Sequence, residues 1–256
     1  MSQTVTFTEL GPADFRLAIG QFVGVYSAAM NPPERMLAGR ESILERHSVN
    51  PGFRALAAVI APGNNPAASS DARGAVSPSS AGEANALRLA PGMELAGFTY
   101  GFHGAHGQWW HDMVAGALAV ITTPSGTTAA TAWLTDSFEV AELHVLPAYQ
   151  GAGIGRSLLL RLLSGRPEQT ALLSTQDSES RARRLYRGVG FTDLLTGFRF
   201  SGGEPPYAIM GATLPLRPAS HDAGSQHTES GEAGSQRPDA ADSPPRPGDS
   251  PRPSIS

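Results

Sequence analysis

Between residues 3 and 216 the apolar positions follow two alternating periods. Gln3–Leu10 places Val5, Phe7 and Leu10 among polar neighbours, and the pattern predicts a strand. Pro12 then stands where the first turn of a helix tolerates proline, and Phe15, Ile19, Phe22 and Tyr26 follow at helical spacing. A second predicted helix opens at Pro33 and carries Met36, Leu37, Leu44 and His47. Phe53–Ala61 and Glu94–His103 read as strands, whereas residues 108–135 give a weaker signal, with a short helix over Met113–Val120. Phe138–Leu146 is a strong strand ended by Pro147. Gly153–Ser164 is a helix with Ile154, Leu158, Leu159, Leu162 and Leu163 inward. After a short strand at Ala171–Ser174, the helix Glu179–Gly188 turns Ala182, Leu185, Tyr186 and Val189 inward and stops at Gly190. Phe191–Phe200 and Tyr207–Leu214 complete the set as strands. Helices and strands that interleave in this way predict an α/β chain around one core.

Two segments break the periodicity. Residues 62–92 are rich in Ala, Ser, Pro and Gly and lie between two apolar runs, which reads as a flexible insertion. Residues 218–256 contain seven Pro, no aromatic residue and a single large aliphatic, Ile255. Such a stretch buries too little apolar surface to offset ordering, ~1–2 kcal/mol per residue for the backbone alone. It is expected to be a disordered tail, with Pro-Pro-Arg-Pro as a possible ligand for a polyproline-binding domain. The folded domain is therefore expected to span 1–217.

Composition narrows the chemistry. The net charge is −4, and the tail, with three Arg against six acidic residues, accounts for most of it. Neither part has the basic excess of a nucleic-acid binder. The longest clean apolar run, Val114–Ile121, is far shorter than the ~20 residues of a membrane span. The N-terminal residues show no signal-peptide pattern, so a cytoplasmic location is expected. There is no Cys, which removes disulfides, thiolate metal sites and thiol nucleophiles. All 19 basic residues are Arg, so no Lys serves as Schiff base, general base or phosphate ligand.

The informative stretch runs from Phe138 to Leu163. A predicted strand leads into Gln150-Gly151-Ala152-Gly153-Ile154-Gly155, and a helix begins at once. Glycines there let successive N–H groups converge on an anion at the positive end of the helix. A P-loop is excluded because Arg156 stands where Lys is required, and a dinucleotide fingerprint fails because Arg156 also occupies its third Gly. The fitting pattern is Gln/Arg-x-x-Gly-x-Gly/Ala through Gln150, Gly153 and Gly155. This resembles the pyrophosphate loop of the GNAT N-acetyltransferase superfamily. Downstream, Ala182-Arg-Arg-Leu185-Tyr186-Arg-Gly-Val-Gly190-Phe191 resembles the family's A-x-x-L-Y-x-x-x-G-F segment, and Leu146-Pro-Ala-Tyr149 precedes the loop. Glu179 departs from the Asn that family members often carry three residues before the Ala. The remaining pattern is similar to an uncharacterised bacterial branch.

The resemblance implies a single GNAT-like domain, a mixed central sheet flanked by helices, with acetyl-CoA as co-substrate and an amine acceptor. The backbone of Leu143, His144 and Val145 would pair with pantetheine. Gln150, Gly151, Ala152, Gly153, Ile154 and Gly155 would hold the pyrophosphate, with Arg156 and Ser157 beside them. Tyr186 stands where the family places the acid for the leaving thiolate. Three side chains are candidates for the base: Glu139, eleven residues before Gln150, then Glu142 and His144. Strict alternation puts Glu142 and His144 on one face and Glu139 on the other, while a bulge shifts faces. Trp109, Trp110, His111 and Asp112 are candidates for the acceptor pocket. The spacing of His103, His106 and His111 defines no metal site, so no metal is expected. A non-catalytic CoA-binding sensor or interaction module on the same fold is the alternative.

Overall fold

The structure, a computed structural model, describes residues 4–34, 37–61, 93–200 and 205–216. The domain boundary expected at 217, the insertion at 62–92 and the tail at 218–256 lie outside the described residues. The chain divides into two units, Met1–Ala219 and Ser220–Ser256, and every described element belongs to the first.

The elements are β1 (Val5–Leu10), α1 (Pro12–Met30), α2 (Arg40–His47), β2 (Arg54–Ile60), β3 (Glu94–His103), α3 (Trp109–Leu118), α4 (Ala129–Leu134), β4 (Ser137–Val145), α5 (Ile154–Leu163), β5 (Thr170–Gln176), α6 (Arg181–Arg187), β6 (Thr192–Phe198) and β7 (Tyr207–Thr213). They build one seven-stranded sheet in the order β1-β2-β3-β4-β5-β7-β6. All neighbours are antiparallel except β4 and β5, which run parallel. The mixed sheet with helices on both faces is the expected α/β architecture.

The sheet divides the single expected core into layers. On one face α5 buries Ile154, Leu158, Leu159, Leu162 and Leu163 against Leu56, Ala58, Phe138, Val140, Leu173 and Met210. On the other, α1 and α2 cover the β1–β3 half through Phe15, Ile19, Phe22 and Leu44. The β5–β7 half of that face takes α3 and α4, with Val114, Leu118, Ala129 and Leu134 on Leu172 and Ile209. Consecutive residues of β2 alternate between layers, which makes it a strand buried on both faces.

Three expectations are corrected. The second helix does not open at Pro33: Leu37–Gly39 form a turn, and Gly39 at φ 77° caps a helix that starts at Arg40. Residues 108–135 hold two helices; α4 begins at Thr128, whose side chain accepts the Thr131 N–H. In α6, Ala182 is exposed while Arg183 is buried. Arg183 turns inward because Asp177 and Asp193 both receive its guanidinium. Helical periodicity misses this, since it reads Arg as a solvent residue.

One irregularity positions everything that follows. Tyr100 pairs with Glu142 and Gly101 with Val140, so Ala141 has no partner and forms a bulge in β4. Beyond it, β4 changes phase. Phe138 and Val140 before the bulge, and Leu143 and Val145 after it, lie toward the α5 layer. Glu139, Glu142 and His144 stand opposite Phe102, Tyr100 and Phe98, which belong to the α1–α2 layer. Strict alternation is thus replaced, and all three base candidates share one face.

Gly101 opposite the bulge leaves no room for a side chain: a Cβ would meet the Glu139 carbonyl oxygen and sit 2.5 Å from Phe138 Cε1. Gly101→Ala is expected to destabilise the domain by about 1–3 kcal/mol or more, the range for core overpacking. Urea unfolding measures it, and an unchanged midpoint would contradict this packing.

Candidate active site

β4 and β5 pair only at Ser137–Thr170, Phe138–Ala171 and Glu139–Leu172. Past Glu139, β4 continues to Val145 against β3 while β5 stays with β7 to Gln176, so the sheet splits in its middle. The edge of β4 that faces the split, including Leu143, His144 and Val145, is left without a strand partner. Such an edge accepts an extended ligand through main-chain hydrogen bonds.

The glycine turn sits at the end of this edge. Gln150 Nε2 donates to the Val145 carbonyl at 3.0 Å, closing the turn onto β4. Gly151 and Gly153 have φ of 86° and 81°, a left-handed backbone that suits glycine. Gly153 caps α5 with no side-chain bond to its first N–H groups, and a Cβ at either glycine would point into open space. Ala152 and Arg156 are exposed, Ser157 is half-buried and Ile154 is buried in the core. Gly155 has a different reason: a Cβ there would come within 3.3 Å of Leu185 Cδ1, so it lets α6 approach α5 closely.

On the α1–α2 face lies a cluster of ionisable side chains. Glu142 is bonded through Oε1 to Arg40 and through Oε2 to His144 Nε2. The Arg40 guanidinium lies 3.7 Å from the centre of the Tyr26 ring, and His144 meets that ring edge-on at 5.2 Å. Burial pushes the Glu142 carboxyl up, yet His144 and then Arg40 outweigh it and hold it below the ordinary carboxylate range. Glu139 is different. It is 6% exposed, its Oε2 has no hydrogen-bond partner, and burial followed by the charge of Glu142 pushes its carboxyl up to about 8. Behind them His47 Nδ1 bonds the Tyr100 hydroxyl at 3.1 Å, and desolvation lowers His47 to about 4, so the ring is neutral.

Tyr186 is carried by α6. It packs in the α5 layer against Phe191, with ring centres 5.9 Å apart. Burial, then the Glu142 charge, raises its hydroxyl well above the ordinary tyrosine value, so it keeps its proton. Glu179 is bonded to Arg187 on the surface.

The start of α3 uses its polar groups locally. Asp112 accepts the Gly107 N–H and lies 3.0 Å from His106 Nδ1 and 3.4 Å from His111 Nδ1. Trp110 donates to Ser174 Oγ at 3.1 Å, tying α3 to β5 beyond the split. Trp109 is 61% exposed and rests on Phe200. The structure therefore brings Glu139, Glu142 and His144 together, whereas of the α3 candidates Trp110 reaches β5, Trp109 rests on Phe200, and His111 and Asp112 are engaged with the loop after β3. Sequence reasoning missed Arg40, Tyr26 and His47. Their only signal was position in the first two helices, which says nothing about β4. Among the described residues no group of three or more His, Asp or Glu is placed to hold a metal ion, and no helix is long and apolar enough to cross a membrane.

Comparison with known proteins defines the class. Residues 106–193 match the acetyltransferase (GNAT) domain. A GCN5-like protein acetyltransferase of Mycobacterium tuberculosis is 38% identical over 211 residues, covering 81% of this chain and 97% of the relative. The mycothiol acetyltransferase of Kineococcus radiotolerans is 34% identical over 117 residues, 40% of this chain and 38% of that protein. Among solved structures, the PaiA N-acetyltransferase of Thermoplasma acidophilum in complex with coenzyme A is similar at 14% identity and a TM-score of 0.44, covering 82% of this chain and 99% of the other. The chain belongs to the GNAT acetyltransferase family.

Glu139 makes stability depend on pH. Its ordinary value is 4.5 and its folded value about 8, so between them the folded state binds the extra proton and stability falls as pH rises. Glu139→Gln, which has no proton to lose, is expected to raise the melting temperature more at pH 8 than at pH 5. An equal shift at both pH values would show that Glu139 titrates normally.

Proposed function

We propose that the protein is an acetyl-CoA-dependent N-acetyltransferase that moves an acetyl group onto an amine of a peptide or small molecule by direct attack. The observation that carries this reading is the placement of Glu139, buried with an unpartnered oxygen, at the point where β4 leaves β5. The residues fit the co-substrate. The open β4 edge at Leu143, His144 and Val145 suits pantetheine, and the N–H groups from Gly151 to Gly155 suit a pyrophosphate at the N-terminus of α5, with Gln150 holding the turn and Arg156 and Ser157 flanking it. When bound, acetyl-CoA supplies a thioester carbonyl carbon, to which the amine nitrogen bonds as the carbon–sulfur bond breaks.

This chain's part is to move two protons. Glu139, once ionised, takes the proton from the attacking nitrogen. Tyr186, which stays protonated at neutral pH, gives its hydroxyl proton to the departing sulfur. With a value near 8, Glu139 is ionised in only about a tenth of molecules at neutral pH, and its strength as a base is correspondingly high. The acceptor enters on the face that carries Glu139, and we take Trp109, Trp110, His111 and Asp112 at the start of α3 as its candidate contacts. The M. tuberculosis relative is a protein acetyltransferase, which supports a protein amine as acceptor. We take residues 1–217 as the catalytic domain and the cytoplasm as its location.

Gly153→Val forces a branched side chain into a left-handed backbone and is expected to abolish CoA binding in the folded protein. Calorimetry measures this, and wild-type affinity would remove the pyrophosphate assignment.

Tyr186→Phe is expected to lower turnover by roughly 10²-fold, the usual scale for a general acid, with CoA affinity retained because the ring and its packing remain. An assay with acetyl-CoA and a panel of lysine peptides and small amines tests it. Wild-type turnover with a reduced melting temperature would make Tyr186 a packing residue.

A further inference from the structure

We propose that Glu142 is a positioning residue rather than a second base: clamped by Arg40 and His144, it is held as a fixed negative charge on the face that carries Glu139 and adds to burial in favouring that carboxyl's protonated form. The inference rests on the reading of Glu139 as the base. Its foundation is geometric. Both oxygens of Glu142 are occupied, one by Arg40 from the first turn of α2 and one by His144 from β4. Neither is available to receive a proton from an acceptor without giving up a bonded partner. Glu139 has an oxygen with no partner. The two carboxylates lie on one face only because Ala141 is bulged out between them.

The clamp is built from three elements. Arg40 lies on the Tyr26 ring of α1, and His144 meets the same ring edge-on, so one aromatic side chain seats both partners of Glu142. Arg40 thus docks α2 onto β4, although the two elements are about a hundred residues apart in sequence. The titratable and charged groups around the pair are Tyr26 from α1, Arg40, Arg46 and His47 from α2, Tyr100 from β3, His144 from β4 and Tyr186 from α6. His47 is neutral and bonded to Tyr100, which keeps its own proton. Fixed negative charge on this face comes from Glu142, and it acts on Glu139, Tyr100 and Tyr186 in the same direction, toward proton retention. The base and the acid of the proposed reaction are therefore tuned by one side chain that touches neither reacting atom.

The test is a carboxyl-carbon NMR titration of the full chain labelled at Glu, from about pH 2 to about pH 10, a span that brackets the ordinary and shifted values. Glu139→Gln and Glu142→Gln assign the two signals by their loss. In the wild type the Glu139 midpoint is expected near 8. In Glu142→Gln it is expected to fall by about one unit or more, the scale for removing a like charge at close range. An unchanged Glu139 midpoint in that variant overturns the proposal. Arg40→Gln gives a second reading that stands if Glu142→Gln fails to fold: the Glu142 midpoint should rise, and no movement overturns the clamp. Acetyl transfer separates this inference from the one beneath it. Glu142→Gln should retain transfer with its acid limb moved to lower pH, and pH-independent loss of transfer would make Glu142 the base and overturn the proposal. Wild-type transfer by Glu139→Gln would instead refute the assignment of Glu139 as base, while the titration would still decide whether Glu142 controls it.

Discussion

The extra residue in β4 is the constraint on which the site depends. A strand pairing with period two sends alternate side chains to opposite faces, and one unpaired residue reverses that assignment for everything beyond it. Ala141 is that residue. Without it, Glu139 and the Glu142–His144 pair would be separated by the sheet, and Leu143 and Val145 would leave the α5 layer. With it, three polar side chains share the α1–α2 face while the apolar residues keep their contacts on the other. Gly101, with no side chain, provides the room opposite the bulge for the Glu139 carbonyl and the Phe138 ring.

The same strand shows how a sheet can be opened without being destabilised. β4 and β5 share three residue pairs and then part, yet apart from the bulge at Ala141 each stays paired on its other side, with β3 and β7 respectively. The split leaves unpaired backbone groups on the facing edges of β4 and β5. The glycine turn at its end serves two separate physical ends. Gly151 and Gly153 supply a left-handed backbone, whereas Gly155 supplies clearance for Leu185. A single motif therefore shapes the loop and sets how closely the helix carrying Tyr186 approaches α5.

Burial acts as a chemical agent here, and its effect depends on whether a partner is present. Arg183 is as buried as Glu139 but lies between Asp177 and Asp193, so its charge is secured and it anchors α6 to β6. Glu142 is held ionised by its two partners. Glu139 has an oxygen with no partner, and a desolvated carboxyl in that state is stabilised by taking a proton. The difference between Glu142 and Glu139, both desolvated, is thus one of hydrogen-bond completion.

Local pattern determined much of this protein. The strands at 94–103 and 138–146, the inward residues of α5 and the glycine turn with its cap were legible because each depends on neighbours within a few residues. The family was legible for the same reason, through the two motifs around Gln150–Gly155 and Ala182–Phe191. The helix at 40–47 was misplaced because a turn at Gly39 outweighed the Pro33 signal, and α4 was missed because six residues carry too little periodicity. The inward turn of Arg183 needed Asp193, which joins it only once β6 is formed. Tertiary structure alone decided that Arg40 and Tyr26 meet Glu142 and His144, that the bulge falls at Ala141, and which of two carboxyls is left without a partner. Those outcomes depend on strand register and on contacts across about a hundred residues, and no short-range pattern in the chain encodes either.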